Sequence, residues 1–127
     1  MTLIEVALRD ILMANTALAA LISTRMTPVV FPATATYPRA AYEKISDPEP
    51  ENTRLHNALI SFTVQGSTYL SAETVMEAIK TAVKGYSGIK SGLTISAVLP
   101  TGQMSQTCDL TVPVYERVEV FRVIYES

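Results

Sequence analysis

The chain has 127 residues, 48% of them apolar and 17% charged, with 10 basic against 12 acidic side chains and a net charge of -2. That length sets one domain with a modest core, and that apolar content excludes a disordered chain. The near-neutral balance, with no Lys/Arg cluster longer than a pair, excludes a polyanion-binding surface, and the single cysteine, Cys108, excludes an intrachain disulfide framework.

At the N-terminus, MTLIEVALRD is interrupted by Glu5, Arg9 and Asp10, so it reads neither as a secretory signal nor as a membrane span. The expectation is a soluble cytoplasmic product, and one free thiol fits a reducing compartment. Thr2-Leu3-Ile4-Glu5 matches a capping box, in which the threonine hydroxyl and Glu5 satisfy each other's amides. Leu3, Ile4, Ala7, Leu8, Ile11 and Leu12 then recur at helical spacing. Asn15-Thr16 breaks the pattern and caps a second short helix through Leu18, Leu21 and Ile22, ending near Ser23. Residues 2–23 thus read as helix, kink and helical turn.

Pro28-Val29-Val30-Phe31-Pro32 predicts a short extended piece fit for an edge or connector. Ala33 to Pro38 reads as a loop, and Arg39 to Ser46 as a strand with Tyr42 on one face and Ala41 and Ile45 on the other. The acidic, proline-bearing stretch SDPEPENTR follows and can bury almost nothing. Leu55 to Gly66 is the clearest strand: Ala58, Ile60, Phe62 and Val64 share one face, and Ser61, Thr63 and Gln65 the other. After a loop at Ser67–Leu70, Ser71 is the expected N-cap of a helix over 71–84. Its apolar face is Ala72, Val75, Met76, Ile79, Ala82 and Val83; its wet face is Glu73, Glu77, Lys80 and Lys84, acids first and lysines last as the helix dipole favours. Gly85 is the stop.

Gly85 to Gly88 reads as a turn, and Leu93, Ile95, Ala97 and Leu99 alternate as a strand ending at Pro100. Residues 101–109, TGQMSQTCD, read as a polar loop. Tyr115 to Glu126 is a long strand apolar on both faces, with Val118, Val120 and Ile124 pointing one way and Phe121, Val123 and Tyr125 the other. The fold class is therefore α+β: a mixed or mainly antiparallel sheet of about four strands, with two main helices packed on one face. No helix remains for the other face, so either the sheet curls on itself or a neighbouring subunit covers it.

No catalytic constellation appears. A nucleophile–base site needs a histidine, and the one histidine, His56, stands at a strand end beside the acidic stretch. Cys108 has no histidine or cysteine at ligand spacing, so no metal is expected. Gly85-Tyr86-Ser87-Gly88-Ile89-Lys90-Ser91-Gly92 lacks the residue order of a phosphate loop and follows a helix instead of preceding one. The carboxylate pairs Glu49/Glu51 and Glu73/Glu77 read as solvated charge, not as acid–base partners. The tyrosines are not interleaved with basic residues, which argues against a nucleic-acid stacking platform. Neither a cofactor nor an enzymatic activity is expected.

Several strings in a fixed order resemble one family. ALRDILMANTALAALISTRMTPVVFP (7–32) resembles the N-terminus of the siphophage tail completion, or tail terminator, proteins that join tail to head. There Asn15 to Ile22 stands in place of the family's short helical turn, with Arg25 after it. YPRAAYEKIS (37–46), ISFTVQGSTYLSAETVMEAIKTAV (60–83) and YERVEVFRVIYES (115–127) resemble its strand, its strand–spacer–helix and its C-terminal strand. The segment 100–113 has no counterpart. The resemblance implies a homo-oligomeric, typically hexameric, ring that caps the tail tube protein, ends its polymerisation and meets the head–tail connector proteins. It implies assembly in the host cytoplasm, a place in the virion neck, DNA passing the ring lumen without sequence-specific contact, and no membrane. A ring is what a heterologous interface gives when its rotation closes.

On that reading Asp47, Glu49, Glu51, Arg54, Gln103, Gln106, Phe121, Val123 and Tyr125 are the expected partner contacts. The stretch at 47–54 would be a docking arm or lumen lining, its prolines keeping it extended, or else a solvated connector. The alternatives are a head-completion or adaptor subunit of the neck, and a small ligand-binding α+β domain, which would require polar residues converging on a pocket.

Overall fold

The computed structural model describes residues 3–23, 25–29, 31, 36–48, 55–109 and 114–126. The first helix, α1 (Ile4–Met13), starts from Leu3, whose side chain makes no cap. The expected capping box involves Thr2, which lies outside the described residues; the Glu5 carboxylate lies 3.7 Å from Lys44 Nζ. The break at Asn15 is as read, since its Oδ1 accepts the Leu18 N–H at 3.0 Å and opens α2 (Thr16–Ile22). Strand β1 (Met26–Pro28) lies two residues earlier than the extended piece read at 28–32. Arg25 fixes it there: its carbonyl accepts the Ala40 N–H at 2.9 Å, and its guanidinium donates to Pro38 O at 2.8 Å and Leu21 O at 3.2 Å.

Strands β2 (Arg39–Ser46) and β3 (Leu55–Gly66) have the bounds their alternation predicts. Helix α3 (Tyr69–Val83) starts one turn earlier than expected, because Thr68 is its N-cap and accepts the Ser71 N–H at 3.1 Å. Gly66 allows that turn, since a Cβ there would come within 2.8 Å of the Ala72 backbone nitrogen. Three further strands follow: β4 (Gly88–Lys90), β5 (Leu93–Asp109) and β6 (Val114–Glu126). Ser91 and Gly92, both at positive φ, make the tight β4–β5 hairpin.

The strands form one curled sheet of six in the order β1-β2-β3-β6-β5-β4, parallel only between β1 and β2. The expected four becomes six because the sheet gains two short edge strands, β1 and β4. The larger correction is β5. The stretch 101–109 is not a loop: Met104 to Asp109 continue the strand and pair with Glu119 back to Val114. Bulges between Ile95 and Ala97 and between Pro100 and Met104 shift its register. The first brings Val98 into the core beside Leu93 and Ile95 and leaves Leu99 45% exposed.

The helices cover one sheet face. Ile4, Leu8, Leu12, Leu18, Ile22, Val75, Met76 and Ile79 pack on Ala58, Ile60, Phe62, Val64, Phe121 and Val123, most of them fully buried. The Phe62 and Phe121 rings meet edge-on at 5.7 Å. Each such side chain contributes about 1.5–3 kcal/mol by leaving water, so this layer holds the fold together.

Candidate interaction surfaces

The alternation of β6 puts Tyr115, Arg117, Glu119, Phe121, Val123 and Tyr125 on the helix-covered face. Phe121, Val123 and Tyr125 are therefore in the chain's own core, with Phe121 and Val123 wholly buried, and are not a surface for partners. The face turned from the helices carries Val118, Val120 and Ile124 instead, with Ser61 and Thr63 of β3 opposite Val120 and Val118. Ala41, Ser61 and Val120 are buried at its centre. Ala97 and Leu99 on β5 extend the apolar surface toward that edge, and Leu99 is exposed.

Two charged clusters lie on the helix side. In the first, Arg117 is 7% exposed and ion-pairs with Glu73 of α3, with Glu119 Oε2 at 3.7 Å; Lys80 Nζ is 3.5 Å from Glu119 Oε1. Burial by itself works to lower the Arg117 pKa, but the hydrogen bond to Glu73 and the charges of Glu119, Glu73 and Glu77 outweigh it and hold it raised. Glu73 and Lys80 are thus not on a wet face; they fasten α3 to β6. The signal was in the sequence, because the period-2 pattern that buries Phe121 also carries Arg117 and Glu119 beneath the helix.

The second cluster gathers at Asp47. Its carboxylate accepts from the Tyr125 hydroxyl, faces His56 Nδ1 at 3.0 Å and lies 3.8 Å from Lys44 Nζ. His56 stacks on the Tyr125 ring with centroids 4.6 Å apart. His56 is thus tied into a structural cluster where α1, β2, β3 and β6 converge, and Asp47 is held by the fold. Glu49, Glu51 and Arg54, the other expected contacts in that stretch, lie outside the described residues.

Gln103 and Gln106 are exposed on β5, and Gln106 Nε2 donates to Glu73 at 2.6 Å. A cleft of about 220 Å³ opens beside Gln106, walled by Tyr69, Ala72, Glu73, Cys108, Tyr115 and Arg117. Among the described residues, no group of three or more His, Cys, Asp or Glu could hold a metal ion, and no helix is long and apolar enough to cross a membrane.

No protein-family model matches the chain, and no curated protein matches it. Its fold is similar to that of a chain in the virion of a native gene transfer agent particle, with a TM-score of 0.80 over 97% of this chain and 94% of the other, at 16% identity.

Proposed function

We propose that this chain is a structural subunit of a phage-like virion, acting in the neck as a ring that caps the tail tube, ends its polymerisation and joins the tail to the head connector. The observation that carries this reading is the near-complete overlap in fold, on both chains, with a subunit of a gene transfer agent virion. A shared fold alone leaves function open, and the apolar sheet face turned from the helices is the second observation that supports the reading. The sheet face turned from the helices carries the half-buried Val118 and Ile124 and runs out to the exposed Leu99. Repeated head-to-tail use of one such face closes a ring. Glu49, Glu51 and Arg54, with Gln103, serve as contacts to tube or connector in this scheme.

Native mass spectrometry of the purified protein, with negative-stain images, tests the reading. A closed ring of about six copies that binds the ends of tail tubes is the expected result. A protein that forms no ring, either alone or on added tube ends, refutes it, and binding to the head connector without the tube would move the chain to an adaptor position.

A further inference from the structure

The two edges of the sheet are treated differently. On one side β1 has only three residues and ends at Pro28, and the part of β2 beyond it carries Glu43 and Lys44. Shortness, proline and charge are how proteins keep an edge from pairing. On the other side β4 covers β5 only from Leu93 to Ile95, and the Val98 carbonyl then accepts the Gly85 N–H at 3.0 Å. Beyond that point no described residue pairs with the outer edge of β5, although its inner edge stays on β6 as far as Asp109. Residues Met104 to Cys108 are all exposed, and this stretch, MSQTC, holds no charge and no proline.

An unpaired row of backbone donors and acceptors specifies its occupant as another extended strand. We infer that the occupant is the same stretch of a second copy, paired antiparallel across a two-fold axis. Length is one reason: the opposite edge of a neighbouring copy is too short and too charged to match, whereas this edge matches itself. Charge is another, since two uncharged strands meet without repulsion. The cleft beside Cys108 sets the register. Met104 is 48% exposed and lies on the same face of β5 as Gln106 and Cys108. With Gln106 opposite its own equivalent, Met104 of the second copy lies opposite Cys108, next to the apolar and aromatic walls that Tyr69, Ala72 and Tyr115 provide. A thioether against aromatic rings is a favourable contact. The pairing uses the sheet edge, not the face turned from the helices, so it does not rest on the ring proposal; because a two-fold pair sets its chains in opposite directions, it joins chains outside a head-to-tail ring or two such rings back to back.

The full-length Met104→Cys variant, which keeps Cys108, tests this by mild oxidation and non-reducing electrophoresis. The expected product is a covalent dimer, because opposed residues in an antiparallel pair stand about 4.5–5.5 Å apart at Cα, within disulfide reach. Within one chain the two positions are about 13 Å apart along the strand and cannot bridge. Gln106→Cys with Cys108→Ser should also give a dimer, through the residue on the axis. Ser105→Lys with Thr107→Lys should leave the circular dichroism unchanged yet halve the mass read by light scattering, where the unmodified chain gives even-numbered species. Monomeric unmodified protein, no covalent dimer from Met104→Cys, or a ladder of products larger than dimers would overturn the inference. A closed ring lacking this disulfide removes the edge pairing and leaves the ring reading; a disulfide-linked dimer that never closes into a ring does the reverse.

Discussion

Replacing Arg117 with methionine removes the cation from beneath α3 while keeping most of the side-chain volume. Four contacts on two carboxylates bear on the result. Glu73 loses its ion pair but keeps the Gln106 Nε2 donor at 2.6 Å, and Glu119 loses the guanidinium but keeps Lys80 at 3.5 Å. Glu119 Oε2 has no hydrogen-bond partner even with Arg117 present, so its charge depends on these two cations. Breaking a buried ion pair from one side costs about 3–5 kcal/mol. The Glu73 side chain is 20% exposed and can recover some hydration, which places the expected loss at the lower end, about 3 kcal/mol. For a chain of this size that lowers the melting temperature by roughly 10 °C. Urea unfolding followed by circular dichroism should show the midpoint falling at constant slope. Adding Glu73→Gln to Arg117→Met should recover part of the loss, because it removes the charge left uncompensated. If Arg117→Met stays within about 1 kcal/mol of the parent, or if the second change deepens the loss, the cluster is not the fastening described.

The Asp47 cluster predicts that Tyr125→Phe costs about 1.5–3 kcal/mol, the range for a hydrogen bond to a charged group, measurable by the same unfolding assay. It also predicts a specific alkaline limit. Burial first, then the hydrogen bond to Asp47 and the charges of Asp47 and Glu5, push the Tyr125 hydroxyl above its ordinary range. A raised acid favours the folded state in its protonated form, so this contribution is complete below about pH 10 and is lost as pH rises beyond it, by up to about 1.4 kcal/mol per unit; melts across pH 9–12 should show a shallower decline for Tyr125→Phe. Phe121→Ala should cost about 3–5 kcal/mol, since its ring is fully buried against Phe62. Val118→Lys should leave the melting temperature within a few degrees of the parent, because its side chain lies on the face without helices, yet should abolish ring formation in native mass spectra.

Where structure follows from neighbours along the chain, the sequence by itself determined it. The alternation of Ala58, Ile60, Phe62 and Val64 set β3 and its buried face, Asn15 set the break between α1 and α2, and the spacing of Val75, Met76, Ile79 and Val83 set the face of α3. Of the candidate contacts, Gln103 and Gln106 were placed at the surface by their polarity, but not on a strand. Tertiary structure decided the rest. TGQMSQTCD has little apolar pattern of its own; it becomes strand because β6 offers a long, regular edge whose backbone groups need partners. Two bulges then change which β5 residues face inward, and no periodicity count can foresee a residue that drops out of the pairing. β6 carries apolar residues on both faces, so only the packing of α1, α2 and α3 determined that Phe121, Val123 and Tyr125 are core while Val118, Val120 and Ile124 face away. Local pattern fixes which residues share a face; which face is buried depends on elements far away in the chain, because the apolar area removed from water is a property of the assembled layers.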